Sequence, residues 1–270
     1  MRKVKKWLAL LVATMLALQP LAFPVSAAPA DDVAPPEAWG PIPTETQLQY
    51  HEEELSAFIH FGVNTFTGVE WGNGRENPNV FHPTGLDTDQ WVKALKDAGF
   101  ERIIMIGRHH DGFCLWNSDY TTQDVASSTD FQATQAARGQ SGDVLEELSR
   151  SCTKYDMDMG FYLSPWDANN PTYGYGSGTD EETDSNGDYN EYYMNQLREV
   201  LGNPKYGNNG KFVEVWMDGA KGSGAAAQHY KFQEWFDLIE ELQPGAVVFS
   251  PYGSTIRWIG NESGKAGDPC

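Results

Sequence analysis

The chain has 270 residues, 40% of them hydrophobic and 13% aromatic, with a formal net charge of −19. This is enough apolar material for one sizeable core and excludes a disordered chain. The acidic balance excludes nucleic acid as a partner. Nine Trp and twelve Tyr suit a ligand with an apolar ring face, because each pairs a flat surface with a polar edge.

Arg2, Lys3, Lys5 and Lys6 precede the apolar stretch Trp7 to Ala17, and Val25-Ser26-Ala27 supplies small residues behind it. That is the pattern of a secretory signal peptide over residues 1–27. Gln19, Pro20 and Pro24 interrupt the run before the roughly 20 apolar residues a spanning helix needs. The expected protein is therefore secreted, periplasmic or cell-surface, with no membrane span once the leader is removed. Removal takes away four positive charges and moves the net charge from −19 to −23, which suits neutral substrates. Residues 28–54 read as a linker and lead-in, with Pro and Ala concentrated between Ala28 and Pro43.

From residue 55 to residue 270, short β-branched and aromatic runs alternate with amphipathic stretches, which predicts parallel βα units. The first strand is expected at Ala57 to Phe61. A helix follows from Thr88 to Ala98, opened by Asp87 and closed by Gly99. Arg102 to Ile106 is the second strand, Asp143 to Tyr155 a helix, and Met159 to Leu163 the third strand. The acidic stretch Thr172 to Tyr189 reads as a solvated insertion. Its run Asp184 to Asp188 only faintly resembles a calcium loop, lacking glycine at the sixth position and glutamate at the twelfth. A helix from Asn190 to Leu201, a strand from Phe212 to Met217, a helix from His229 to Leu242, and strands at Val247 to Phe249 and Thr255 to Ile259 complete the pattern.

Six such strands fit an open doubly wound sheet or a barrel. No GxGxxG fingerprint supports a dinucleotide fold, so an α/β fold of the (β/α)8 TIM-barrel type is expected. A complete barrel takes about 250 residues and eight strands. About six units are visible here, so the last part of the barrel is expected to be missing. Cys114, Cys152 and Cys270 have no zinc-like spacing, and a Cys114–Cys152 disulfide has nothing to support it.

Barrel chemistry sits at the C-terminal ends of strands, and polar or aromatic residues recur there. The first strand ends in His60-Phe61-Gly62 with Glu70-Trp71 behind it, and the second in Arg108-His109-His110-Asp111-Gly112. The third ends in Tyr162, with Trp166 and Asp167 after it, the fourth in Trp216-Met217-Asp218-Gly219, and the sixth in Arg257-Trp258-Ile259-Gly260-Asn261-Glu262. Paired carboxylates there would cleave a glycosidic bond. Alternatively, His60, His109, His110 and Asp218 would hold a metal that activates water. Adjacent strand residues point to opposite faces, so His109 and His110 reach one ion only if the backbone turns. A structural role for Asp218 would be a cap or turn acid.

The segments Phe58 to Gly62, His109 to Trp116, Glu214 to Ala220 and Arg257 to Glu262, in that order, resemble the α-L-fucosidases of glycoside hydrolase family 29. The resemblance covers Leu55 to Pro269. It implies a retaining exo-α-L-fucosidase of the subgroup acting on α-1,3/1,4-linked terminal fucose, with a fucosylated oligosaccharide or glycoconjugate as partner and with neither metal nor cofactor. It further implies Asp218 as nucleophile, Glu262 as acid/base, and His60, Glu70, His109, His110, Tyr162 and Trp216 as sugar-binding residues. Arg108 replaces a lysine frequent in that family, and the acidic loop before Tyr189 is longer than usual there. The alternatives are a fucose-binding protein without catalysis and a metal-dependent hydrolase on the same barrel.

Overall fold

The computed structural model describes residues 34, 36–174, 188–220, 228–251 and 255–258. The leader, residues Asp184 to Gly187 of the calcium-like run, Glu262 and Cys270 lie outside the described residues. The chain divides into Met1–Ile42 and Pro43–Cys270, and every strand and helix below belongs to the second unit.

Six strands form one parallel sheet in chain order. They are β1 (Ser56–Ile59), β2 (Arg102–Arg108), β3 (Asp158–Leu163), β4 (Glu214–Trp216), β5 (Val247–Ser250) and β6 (Ile256–Arg257). The order never reverses, unlike that of a doubly wound sheet, which has a switch point. The expected strands are all present, with ends displaced by no more than two residues. Hydrophobic runs mark where a strand is buried, whereas its ends depend on where the neighbour's hydrogen bonds stop.

Seven helices among the described residues surround the sheet: α1 (Glu45–Glu52), α2 (Val63–Thr67), α3 (Thr88–Asp97), α4 (Thr129–Ala137), α5 (Val144–Tyr155), α6 (Asp188–Leu201) and α7 (Phe232–Leu242). The Asp87 carboxylate accepts the Gln90 N–H at 3.0 Å and the Asp143 carboxylate that of Glu146 at 2.9 Å, so both are N-caps, each worth about 1 kcal/mol. From α5, Val144, Leu145, Leu148 and Cys152 are buried along one stripe. None of these helices is long and apolar enough to cross a membrane.

Strand alternation divides the sheet's side chains. Ile103, Met105, Met159, Phe161 and Val215 join the main core under the helices. Ile104, Ile106 and Tyr162, with Trp216 against them, form a second cluster on the opposite face. Cys114 and Cys152 are both buried and free, so no disulfide links them.

At the N-terminal ends of the strands the inner face carries charge. Arg102, 2% exposed, donates to Glu214 at 2.9 Å and also to Glu53, and lies 4.5 Å above the Tyr50 ring. Burial pushes the Glu214 carboxyl up to about 7 despite the opposing pull of Arg102. Arg102→Met strands Glu53 and Glu214 together and should cost roughly 3–5 kcal/mol, read from denaturant midpoints. The folded protein holds the Glu214 proton more tightly than the unfolded chain, whose carboxyl titrates near 4.5. This group's contribution to stability therefore falls as pH rises from about 4.5 to 7. Glu214→Gln should flatten the pH dependence of the melting temperature in that window.

Candidate active site

β2, β3 and β4 are in register, with Ile106 opposite Tyr162 and Tyr162 opposite Trp216. Trp216 is in turn opposite Phe249 of β5. This row gives the inner face an aromatic floor near the C-terminal ends of the strands. Tyr162 stacks on Trp216 at 5.5 Å, and Trp216 on Phe249 at 4.7 Å with planes 7° apart. Phe58 of β1 meets the Trp216 edge at 5.2 Å.

Asp218 stands two residues beyond the end of β4, on the same side as Trp216. Its Oδ1 accepts the Ala220 N–H at 2.8 Å and its Oδ2 accepts the Tyr162 hydroxyl at 2.8 Å. The residue is therefore a turn acid through one oxygen and faces the site through the other. His110 Nε2 lies 3.8 Å from that same Oδ2.

His109 and His110 both point into the site, their ring centres 4.0 Å apart. Strand alternation would have separated them, but β2 ends at Arg108 and its register with β3 shifts between Ile106 and Arg108. The Gly112 N–H then bonds the His109 carbonyl at 3.0 Å, so the backbone has turned. Gly112 closes that turn at φ +82°, and a Cβ there would stand 2.5 Å from Asp167 Oδ1. His60 joins through a 4.5 Å ring contact with His109. Trp166 stacks on His110 at 4.7 Å, and Trp71 meets both of them edge-on. His60 and Glu70 line an open cleft of about 460 Å³ with Asn64, Thr65, Gly68 and Val69.

Burial governs the protonation of the histidine pair. It pushes His109 down to about 2, with His110 and His60 adding to the effect. It pushes His110 down to about 4, although Asp218 pulls the other way. Both rings are therefore neutral at pH 7. Ser164 Oγ lies 2.7 Å from His110 Nδ1 and 2.7 Å from the Trp166 carbonyl, and accepts the Trp166 N–H at 3.1 Å. With its single proton given to the Trp166 carbonyl, the hydroxyl accepts from His110 Nδ1, which leaves Nε2 as a second acceptor beside Asp218 Oδ2. Two converging acceptors call for a donor between them, and a sugar hydroxyl is one.

Ser164 is itself fixed. The buried Arg108 guanidinium donates to the Ser164 carbonyl and to Asp167 at once, a two-pronged grip that a lysine's point charge lacks. The structure thus brings together Asp218, Tyr162, Trp216, His109, His110 and His60, with Glu70 on the adjoining cleft. The supporting roles of Ser164 and Asp167 were missed in the sequence. A polar pair just past a strand end was the available signal, although it does not name their partners.

His109, His110 and Asp218 also offer ligand atoms within 4.8 Å of one another, an arrangement that could hold a metal ion. The turn after β2 removes the spacing objection to a shared ion.

The α-L-fucosidase family model matches residues 74–258. The chain belongs to the α-L-fucosidase family. α-L-Fucosidase 1 of Arabidopsis thaliana is 45% identical over 230 residues, covering 85% of this chain and 41% of the relative. A Ruminococcus gnavus GH29 fucosidase solved in complex with fucose is 45% identical with a TM-score of 0.73, covering 86% of this chain and 49% of that one. The protein crystallised as SpGH29 is 49% identical with a TM-score of 0.73, covering 86% of this chain and 48% of that one. This member of the family thus spans less than half the length of each of these relatives.

Neutral histidines make a direct prediction. Imidazole ¹⁵N spectra should show His109 and His110 uncharged from pH 6 to 8, and Ser164→Ala should change the tautomer of His110 alone. A protonation midpoint above 6 for either ring contradicts the assignment.

Proposed function

We propose that the protein is an exported, retaining exo-α-L-fucosidase built on a (β/α)8-type barrel, removing α-1,3/1,4-linked terminal fucose from glycans. The observation that carries this reading is Asp218, whose Oδ2 faces Tyr162 and His110 above an aromatic floor. In the first step an Asp218 oxygen attacks the anomeric carbon as the bond to the leaving oxygen breaks, and Glu262 gives that oxygen its proton. In the second, water gives a proton to Glu262 and attacks the anomeric carbon, breaking the bond to Asp218. Glu262 has to be protonated at the outset, which a negative charge on the nucleophile would favour if the two carboxyls share the site.

Sugar binding follows from the same geometry. The neutral Nε2 of His110 and the Asp218 oxygen accept from hydroxyls, His60, His109 and Glu70 extend the polar side, and Tyr162 with Trp216 covers the C–H face. The strand order of the sheet, which never reverses, supports the barrel. The leader pattern in residues 1–27 supports export, and the segment Arg257 to Glu262 supports the linkage class.

Asp218→Asn should lower the release of fucose from a fucosylated trisaccharide by on the order of 10³-fold or more with the fold intact; near-normal turnover would sink the nucleophile assignment. Glu262→Ala should be rescued by azide, which needs no proton donated or removed by the enzyme. The cluster His109, His110 and Asp218 favours a metal-dependent hydrolase as the second reading. Chelation with EDTA separates the two: the carboxylate mechanism keeps full activity, and the metal mechanism loses it.

A further inference from the structure

Asp111 follows the paired histidines directly, is 3% exposed, and takes no part in the steps above. Its Oδ1 accepts the Phe113 N–H at 2.7 Å, and its Oδ2 accepts from Asn64 Nδ2 at 2.8 Å. The same Asn64 amide group also donates to the Glu70 carbonyl at 3.2 Å. One side chain of α2 therefore ties the backbone of the Glu70–Trp71 loop to the residue beside the histidine pair.

The far side of that loop is pressed onto the same two residues. Gly72 has φ +70°, and a Cβ there would stand 2.8 Å from Asp111 Cβ and 2.9 Å from both Asn64 Oδ1 and Glu76 Oε1. Glu76 Oε1 accepts the Asn73 N–H at 2.6 Å, and Asn169 holds the Gly74 carbonyl at 2.7 Å. Glu70 and Trp71 sit between these two anchorages, with Trp71 against His110 and Trp166.

We propose that Asn64 and Asp111 are positioning residues that set the Glu70–Trp71 loop against the histidine wall, and so determine how tightly the sugar is held. The inference rests on the fucosidase reading above. A hydrogen bond to a carboxylate at this depth is among the stronger ones, and its loss leaves a buried acceptor unpaired. Asn64 Oδ1 and Glu76 Oε2 are already buried without a donor among the described residues, so acceptors crowd this spot and the Asn64 amide group is the donor that relieves them.

Loop position affects binding more than bond-breaking, since Asp218 is held independently by Tyr162 and Ala220. With a fucosylated trisaccharide and the full chain, Asn64→Ala should raise KM about tenfold, on the scale of one charge-assisted hydrogen bond. It should leave kcat within about twofold, the mark of lost uniform binding.

Asn64→Leu gives a second readout, because it keeps roughly the size of the side chain and removes the N–H donor that Asp111 Oδ2 and the Glu70 carbonyl share. Its KM should rise about as far as that of Asn64→Ala, again with kcat within about twofold, and it serves if Asn64→Ala does not fold. A wild-type KM in either variant overturns the proposal while the fucosidase reading stands. Wild type that neither releases fucose from the trisaccharide nor binds L-fucose by calorimetry overturns that reading, and this inference with it.

Discussion

The parallel register of β2 through β5 is the constraint on which the site depends. It sets Ile106, Tyr162, Trp216 and Phe249 side by side. The stacked pairs in that row, Tyr162–Trp216 and Trp216–Phe249, each add roughly 0.5–1.5 kcal/mol beyond the area they bury. Because side chains alternate with a period of two, a slip of one residue in β4 would turn Trp216 toward the helices and Val215 toward the site. Packing of Val215, Met159 and Phe161 under the helices therefore fixes the orientation of Trp216 and the direction from which Asp218 enters the site.

The same alternation explains how one strand serves two poles. Glu214, Trp216 and Asp218 are two residues apart and fall on one face. At the N-terminal end of the strands Glu214 is fully buried and is met by Arg102. Trp216 separates it from the C-terminal end of the strands, where Asp218 is 21% exposed and receives a phenolic and a backbone donor. A carboxylate surrounded by water would not need such donors, and one as deep as Glu214 needs a guanidinium. The intermediate depth of Asp218 leaves one of its oxygens directed at an incoming ligand.

The strands and the helices α3, α5, α6 and α7 were legible because their burial is written as apolar periodicity, and Asp87 and Asp143 announced their caps. α1 and α4 were not. α1 buries no residue, so no apolar stripe marks it, although the Thr44 and Gln47 capping box was a readable signal. α4 buries only Phe131 and Gln135, too few to form a stripe. At the site, residue types at strand ends pointed to His60, His109, His110, Tyr162, Trp216 and Asp218. The turn that brings the two histidines together is a property of where β2 stops pairing, which local sequence does not encode. The Arg102–Glu53 and Arg108–Asp167 pairs are equally hidden, since their partners are 49 and 59 residues apart.

The buried charge near the site has a role that residue type alone does not suggest. Arg108 is 0% exposed and its guanidinium is occupied by Asp167 and the Ser164 carbonyl, so its charge is engaged inside the protein. What it fixes is the segment after β3, and through Ser164 Oγ the face of His110 that carries a proton. With both histidines neutral, the wall presents hydrogen-bonding edges in place of positive charge. A cationic wall would attract any anion. A neutral one selects for hydroxyl geometry, because each donor or acceptor left unmatched in a buried pocket costs about 1–3 kcal/mol. Discrimination among uncharged ligands depends on that penalty, and a pocket braced by the Arg108 contacts to Asp167 and the Ser164 carbonyl is in a position to enforce it.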